Sequence, residues 1–81
     1  MMKHNDVQNK TLEVFRKIFG DTPQVHENAN ADTIDKWDSL NHITLIQELE
    51  KTFDVKFDLF EIVELRDVKG LTNYIYSKLQ K

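Results

Sequence analysis

The sequence predicts an all-α domain with three longer helices, one short helix and a long loop between helices one and two. Two observations predict this fold class. Only two glycines and one proline occur in the chain, and apolar residues recur at steps of three and four, which is the spacing of one helical face. The 81 residues form one domain, assigned to 1–81, because a chain of this length has no room for a second.

The first helix is predicted from about Asp6 to Phe19. Its inward face is formed by residues at helical spacing, namely Val7, Thr11, Val14, Phe15, Ile18 and Phe19. Gly20 fits the left-handed position just past a helix end. Pro23 prevents the helix from continuing.

The segment 21–36 is predicted to be a long connection, because it is rich in Asn, Asp and Thr. Loops of this length in a small domain are usually functional or are packed down by their own side chains. Val25 and Ile34 are the apolar anchors that predict packing.

The second helix is predicted to begin at Asp38 or Ser39 and to end near Thr52. Asp38 is the expected N-cap, because its carboxylate can accept free amide hydrogens of the first turn. The core face is predicted to contain Leu45, Ile46, Leu49 and Phe53. Leu40 and Ile43 lie outside this face. They either extend the core or form an apolar patch beside Ser39, where a partner docks.

His42 lies in the middle of the predicted core face of helix two. We interpret it as a core histidine bonded to a nearby backbone group; the alternative is that it lines a space where a cargo chain enters between helices. Trp37 is interpreted as a cover over the helix start. Asp38, Ser39 and His42 are close simply because they share one helix turn. A nucleophilic enzyme also needs an oxyanion site on a second wall, so we predict no catalytic residues and no enzyme activity.

Two further helices are predicted in the last third of the chain. The spacing of Asp58 and Glu61 is close to a capping box and predicts a short third helix through Leu65. Asp67 is the expected N-cap of the fourth helix. Its inward stripe is formed by Val68, Leu71, Ile75 and Leu79.

Charge and composition exclude several functions. The net charge of −3 argues against nucleic acid, which requires a basic surface. Cysteine is absent, and the three histidines are scattered without metal-ligand spacing, so no metal site is expected. No apolar block is long enough for a signal peptide or a membrane span. We therefore expect a soluble, cytoplasmic protein.

The run Trp37–Asp54 reads WDSLNHITLIQELEKTFD. It is similar to the signature of acyl carrier proteins, which is Asp-Ser-Leu, a branched apolar residue four positions after the serine, then Leu-Glu and a later phenylalanine. Ile43 and Phe53 stand at the corresponding positions here. The resemblance covers nearly the whole chain, and it implies an antiparallel four-helix bundle with the serine at the start of helix two.

The resemblance also implies a function. Ser39, flanked in the motif by Asp38 and Leu40, would bear a covalent 4'-phosphopantetheine derived from coenzyme A, whose thiol holds an acyl group as a thioester. The implied partners are a phosphopantetheinyl transferase, an acyl or aminoacyl ligase or an acyltransferase, and a downstream synthase or transferase of lipid, polyketide or specialised biosynthesis. The carrier itself is expected to be a monomer.

Helix two is the expected partner surface of such a carrier. Its candidate residues are Leu40, Asn41, Ile43, Thr44, Gln47 and Lys51. Four of these are polar or basic where carriers often show acidic residues. Lys36 stands in place of a frequent glycine, and Trp37 in place of a small residue. A Trp-Asp-Ser start resembles stand-alone carriers, including D-alanyl carriers, so an aminoacyl carrier is one alternative. An unmodified helical interaction domain, with Ser39 as an ordinary first-turn residue, is the alternative of another class.

Overall fold

The computed structural model describes residues 3–80, and Met1, Met2 and Lys81 lie outside the described residues. Within 3–80 the elements are four α-helices: α1 (His4–Phe19), α2 (Ser39–Phe53), α3 (Leu59–Ile62) and α4 (Val68–Leu79). The all-α prediction is confirmed, with three longer helices and one of four residues. The long connection between α1 and α2 is also present, at 20–38.

Helix α1 begins at His4, slightly before the predicted Asp6. The Lys3 amide donates to the Asp6 carboxylate at 3.1 Å, which closes the first turn. At the other end the Gly20 amide donates to the Arg16 carbonyl, and Gly20 has φ +94° and ψ 161°. The positive φ is the one predicted for glycine, but this ψ lies outside the left-handed helical region.

Helix α1 packs against both α2 and α4. The inward face predicted for α1 is buried except for Ile18, which is half-buried, and Leu12 is buried as well. The predicted core face of α2 is buried throughout, and α2 ends at Phe53, one residue beyond the prediction. The stripe of α4 is also buried, apart from the half-buried Leu79. These three faces form a single core.

The connection 20–38 is packed down, as its two apolar anchors predicted, because Val25 and Ile34 are both buried. Its backbone also pairs with the segment before α4. The Ala31 amide donates to the Arg66 carbonyl at 2.9 Å, and the Val68 amide donates to the Ala29 carbonyl at 3.0 Å. The connection is therefore fixed to the start of α4.

The predicted capping of α3 is wrong in part. Helix α3 ends at Ile62, short of Leu65. The Asp58 carboxylate accepts the Phe60 amide at 2.9 Å, as an N-cap should. Glu61 does not complete a capping box, because its carboxylate accepts the Tyr74 hydroxyl at 2.9 Å instead.

The predicted side-chain cap of α4 is also wrong. Asp67 is the N-cap residue, but its carboxylate makes no capping hydrogen bond within the described residues. The carboxylate lies against Gly70, where any β-carbon would collide with it. Glycine therefore provides the space that the Asp67 side chain occupies.

Candidate functional site

Ser39 is the first residue of α2, and its side chain is exposed. Asp38 precedes it in an extended conformation, as the sequence predicted for the N-cap, and its Oδ1 accepts the Asn41 amide at 2.9 Å. The Asp38 carbonyl accepts the His42 amide at 2.8 Å. Among residues 3–80 no hydrogen bond uses the Ser39 hydroxyl, so the start of α2 is fixed while Ser39 Oγ remains open to reaction.

A buried chain of hydrogen bonds includes His42, one turn of α2 after Ser39. The Trp37 indole Nε1–H donates to His42 Nδ1 at 2.8 Å. Because Nδ1 accepts, the neutral ring has its proton on Nε2, which donates to the Ile62 carbonyl at 3.2 Å. The His42 side chain is 0% exposed, so its interpretation as a core histidine bonded to a backbone group is confirmed. We refer to this chain as the Trp37–His42–Ile62 contact.

The environment of His42 favours the neutral imidazole. Burial lowers the pKa of His42, the bond to the Ile62 carbonyl partly opposes that shift, and the Arg66 charge adds to the lowering. A protonated ring would also have a donor at Nδ1 facing the indole N–H, which is itself a donor only.

Trp37 belongs to the core and is more than a cover over the start of α2. Its ring meets Phe15 of α1 edge-on, with centroids 5.0 Å apart. It also stacks on His42 at 5.8 Å and 26°. Trp37 therefore links the end of the connection to both α1 and α2.

Leu40 and Ile43 are the two apolar residues for which the sequence left two roles open. They are 74% and 52% exposed. They therefore form a surface patch beside Ser39 and do not extend the core.

Sequence reasoning missed a second set of exposed apolar side chains, on and just after α3. These are Leu59, Phe60 and Val63, and Phe60 is 91% exposed. The bond from His42 to the Ile62 carbonyl brings the end of α3 to the first turn of α2. Leu40, Ile43, Leu59, Phe60 and Val63 are called the apolar rim below. The signal was present in the run LFEIV, because a single helical turn cannot bury four apolar residues in five.

The polar residues of the predicted partner surface differ in their surroundings. Asn41 is half-buried, and its side-chain amide donates to the Lys36 carbonyl at 2.7 Å, so it fastens the connection to α2. The Thr44 hydroxyl donates to the Leu40 carbonyl at 3.3 Å. Gln47 and Lys51 are exposed.

An ion cluster joins the middle of α2 to α1. Lys17 Nζ lies 3.0 Å from the Glu48 carboxylate, and Lys51 Nζ lies 3.9 Å from it. The hydrogen bond and the charge of Lys17 lower the pKa of Glu48. The lysines of these pairs are exposed, and pairs of this kind contribute little to stability.

Within residues 3–80, no group of three His, Asp or Glu side chains is arranged to hold a metal ion. No helix in the same part of the chain is long and apolar enough to cross a membrane. The fold and the site thus define a small all-helical domain with an open serine at a capped helix start. Comparison of the chain with protein-family models and with curated proteins gave no match.

Proposed function

We propose that the protein is a carrier that holds acyl intermediates as thioesters on a 4'-phosphopantetheine arm attached to Ser39. The observation that carries the proposal is the open Ser39 hydroxyl on the first residue of a helix capped by Asp38. The arm supplies the thiol that forms the thioester. The carrier is not an enzyme in this proposal: separate enzymes attach the arm, load it and use its cargo.

The residues around Ser39 fit a phosphodiester. The Asp38 carboxylate accepts the Asn41 amide, so one of its oxygens is already bonded within the first turn of α2. The positive end of the α2 dipole favours a negative group at this position. Lys36, three residues before Ser39, is exposed and carries a positive charge.

The apolar rim fits the need of a carrier to meet several enzymes in turn. Exposed apolar residues grouped beside a reactive side chain are typical of a protein-binding surface. Tethering gives each bound enzyme a high local concentration of the cargo without release into solution. We place the four helices in an antiparallel bundle, as the resemblance implies; the packing of α1 against α2 and α4 supports this arrangement.

The test is intact mass after co-expression with a broad-specificity phosphopantetheinyl transferase. We expect the wild-type chain to gain the mass of one phosphopantetheine. Ser39→Ala should gain none while keeping its helical circular dichroism. The chain has one other serine, Ser77, which is exposed on α4, so Ser77→Ala is the matched control and should be modified fully. Modification of Ser39→Ala would overturn the proposal.

The second candidate, an unmodified interaction domain, is favoured by the same apolar rim, because Phe60 is almost fully exposed. The mass measurement separates the two candidates, since only a carrier is modified. The aminoacyl carrier, including the D-alanyl type, remains an alternative within the carrier class, supported by the Trp37-Asp38-Ser39 start.

A further inference from the structure

We propose that the Trp37–His42–Ile62 contact closes the helices next to Ser39, so that the cargo is a short or polar acyl group held outside them. A long alkyl chain buried between α2 and α3 is excluded by the same contact. This inference rests on the proposed carrier function, and it names the chemical class of the cargo.

The position of the contact decides which way a cargo could turn from Ser39. In a helix, the residues three and four positions after a given residue lie beside it on the same side. From Ser39 these are His42, which is fully buried, and Ile43, which faces solvent. The inward path from Ser39 therefore meets the His42 ring, and the outward path leads over Ile43.

Displacing the His42 ring would cost free energy. Both of its nitrogens are bonded, to the Trp37 indole and to the Ile62 carbonyl. An alkyl chain has no donor or acceptor, so entry would leave these buried partners unsatisfied. Leu45, Leu49 and Ile62 are fully buried as well. Close-packed interiors leave little free space for an alkyl chain.

The same contact favours a cargo that is well solvated by water. An alkyl chain kept outside can lie against the apolar rim on one side only, so part of each added methylene remains exposed to solvent. A short acyl or aminoacyl group exposes little apolar surface. The contact therefore favours short or polar cargo, because a long alkyl chain would have to stay exposed to solvent.

The experiment compares two loaded forms of the full chain. The transferase attaches acetyl- or octanoyl-phosphopantetheine to Ser39 from the matching acyl-coenzyme A, and intact mass verifies each product. We expect the two wild-type forms to melt within about 2 °C of each other, whereas an octanoyl chain buried in the core would raise Tm by more than about 10 °C. Trp37 is the only tryptophan, so its single indole N–H resonance should be identical in both forms.

A variant then tests the role of His42 directly. His42→Ala opens space beside Ser39, so the octanoyl form of this variant should melt above its acetyl form. Val14→Ala is the control, because it truncates a buried side chain of a different helix, α1, and its two forms should melt alike. Equal shifts in the two variants would overturn the inference, as would a shifted indole resonance in the octanoyl wild type. The indole measurement stands even if His42→Ala does not fold. Failure to modify Ser39 at all would instead overturn the proposed function.

Discussion

His42 connects the protonation state of one residue to the stability of the domain. Burial lowers its pKa from the ordinary value of 6.5, so the unfolded chain takes up a proton at a higher pH than the folded one. The stabilisation from neutral His42 is therefore fully present above the pKa that His42 has in the unfolded chain. It is lost as pH falls from the unfolded pKa towards the lowered folded pKa.

We predict that the free energy of unfolding falls as the pH drops below about 7, with a slope from this group of at most about 1.4 kcal/mol per pH unit. Urea melts at several pH values measure this slope. His42→Gln should flatten it. An unchanged slope in His42→Gln would assign the pH dependence to another group.

Thr72 and Thr11 form a natural pair of buried hydroxyls. Both side chains are fully buried. The Thr11 hydroxyl donates to the Val7 carbonyl at 2.7 Å, whereas Thr72 Oγ1 has no partner among the described residues. An unsatisfied buried hydroxyl costs about 1–3 kcal/mol.

Thr72→Val should accordingly stabilise the protein by about 1 kcal/mol, because valine keeps the shape and removes the unpaired hydroxyl. Thr11→Val loses a formed hydrogen bond and should be neutral or destabilising. Denaturant melts of the two variants give the comparison. If Thr72→Val were the less stable of the two, the Thr72 hydroxyl would have a bonding partner in solution.

At the scale of elements, α3 is fixed mainly by contacts outside its own four residues. The Tyr74 hydroxyl of α4 accepts the Asp58 amide at 3.0 Å and donates to Glu61 at 2.9 Å. Lys78 Nζ lies 3.8 Å from the Glu61 carboxylate and 5.3 Å from the centre of the Tyr74 ring. Helix α3 presents the most exposed part of the apolar rim, so α4 positions that surface.

Tyr74→Phe should release α3 without disturbing the core. The loss of two hydrogen bonds should reduce the free energy of unfolding by about 1 kcal/mol. Amide hydrogen exchange at 60–63 should accelerate more than exchange in α1. Tyr76→Phe on the same helix is the control and should leave exchange in α3 as it is. Equal acceleration in both variants would mean that the Tyr74 hydroxyl does not hold α3.

The elements also show which parts of the fold were accessible to sequence reasoning. Long helices were predicted well because apolar spacing over several turns leaves one inward face, as in α2. The Glu61 half of the α3 capping box and the side-chain cap of α4 were not, because the Glu61 and Asp67 side chains are used elsewhere. Glu61 binds Tyr74, which lies thirteen residues away, and Asp67 rests on Gly70. The partner of Glu61 lies on another helix, so its choice depends on tertiary packing, which a local pattern does not contain.

On the scale of the whole molecule, if the proposed function is correct, the charge of α2 should govern which enzymes bind the protein. Thr44 and Lys51 are exposed and give α2 less negative charge than many carriers have. Complementary charge acts mainly on association rate and specificity. We therefore expect the protein to be loaded poorly by enzymes of a general fatty-acid system and well by dedicated ones.

Replacing both residues with glutamate should speed loading by the general enzymes, and the gain should shrink at high salt because the exposed charges are screened. Loading rates of the wild type and of Thr44→Glu/Lys51→Glu, compared at low and high ionic strength, provide the measurement. Thr52→Glu/Lys56→Glu, which makes the same charge change at exposed positions past the middle of α2, serves as the control. Equal rates for all three chains would indicate that the apolar rim and not charge determines partner choice.

The candidate site was predictable only in its centre. Ser39 and its Asp38 cap follow from local rules, because a cap needs only the next turn of the same helix. The role of Trp37 depended on Phe15 of α1, and the role of His42 depended on Ile62, twenty residues away. His42 was expected to be buried and bonded to a backbone group. Trp37 and Ile62 meet its ring only in the folded chain, so these particular partners could not be predicted from the pattern of α2.

The pairing of the connection with the segment before α4 determines where this protein can be opened for engineering. The stretch 29–31 is joined by backbone hydrogen bonds to 66–68. A tag or reporter inserted there would break these bonds between two segments that are distant in sequence. The stretch 21–24 is exposed and tolerates new chain far better. Opening the chain at 21–24, in a circular permutant or by inserting a fluorescent protein, would leave Ser39 and the residues that contact the start of α2 intact. The long connection would then serve as an attachment point.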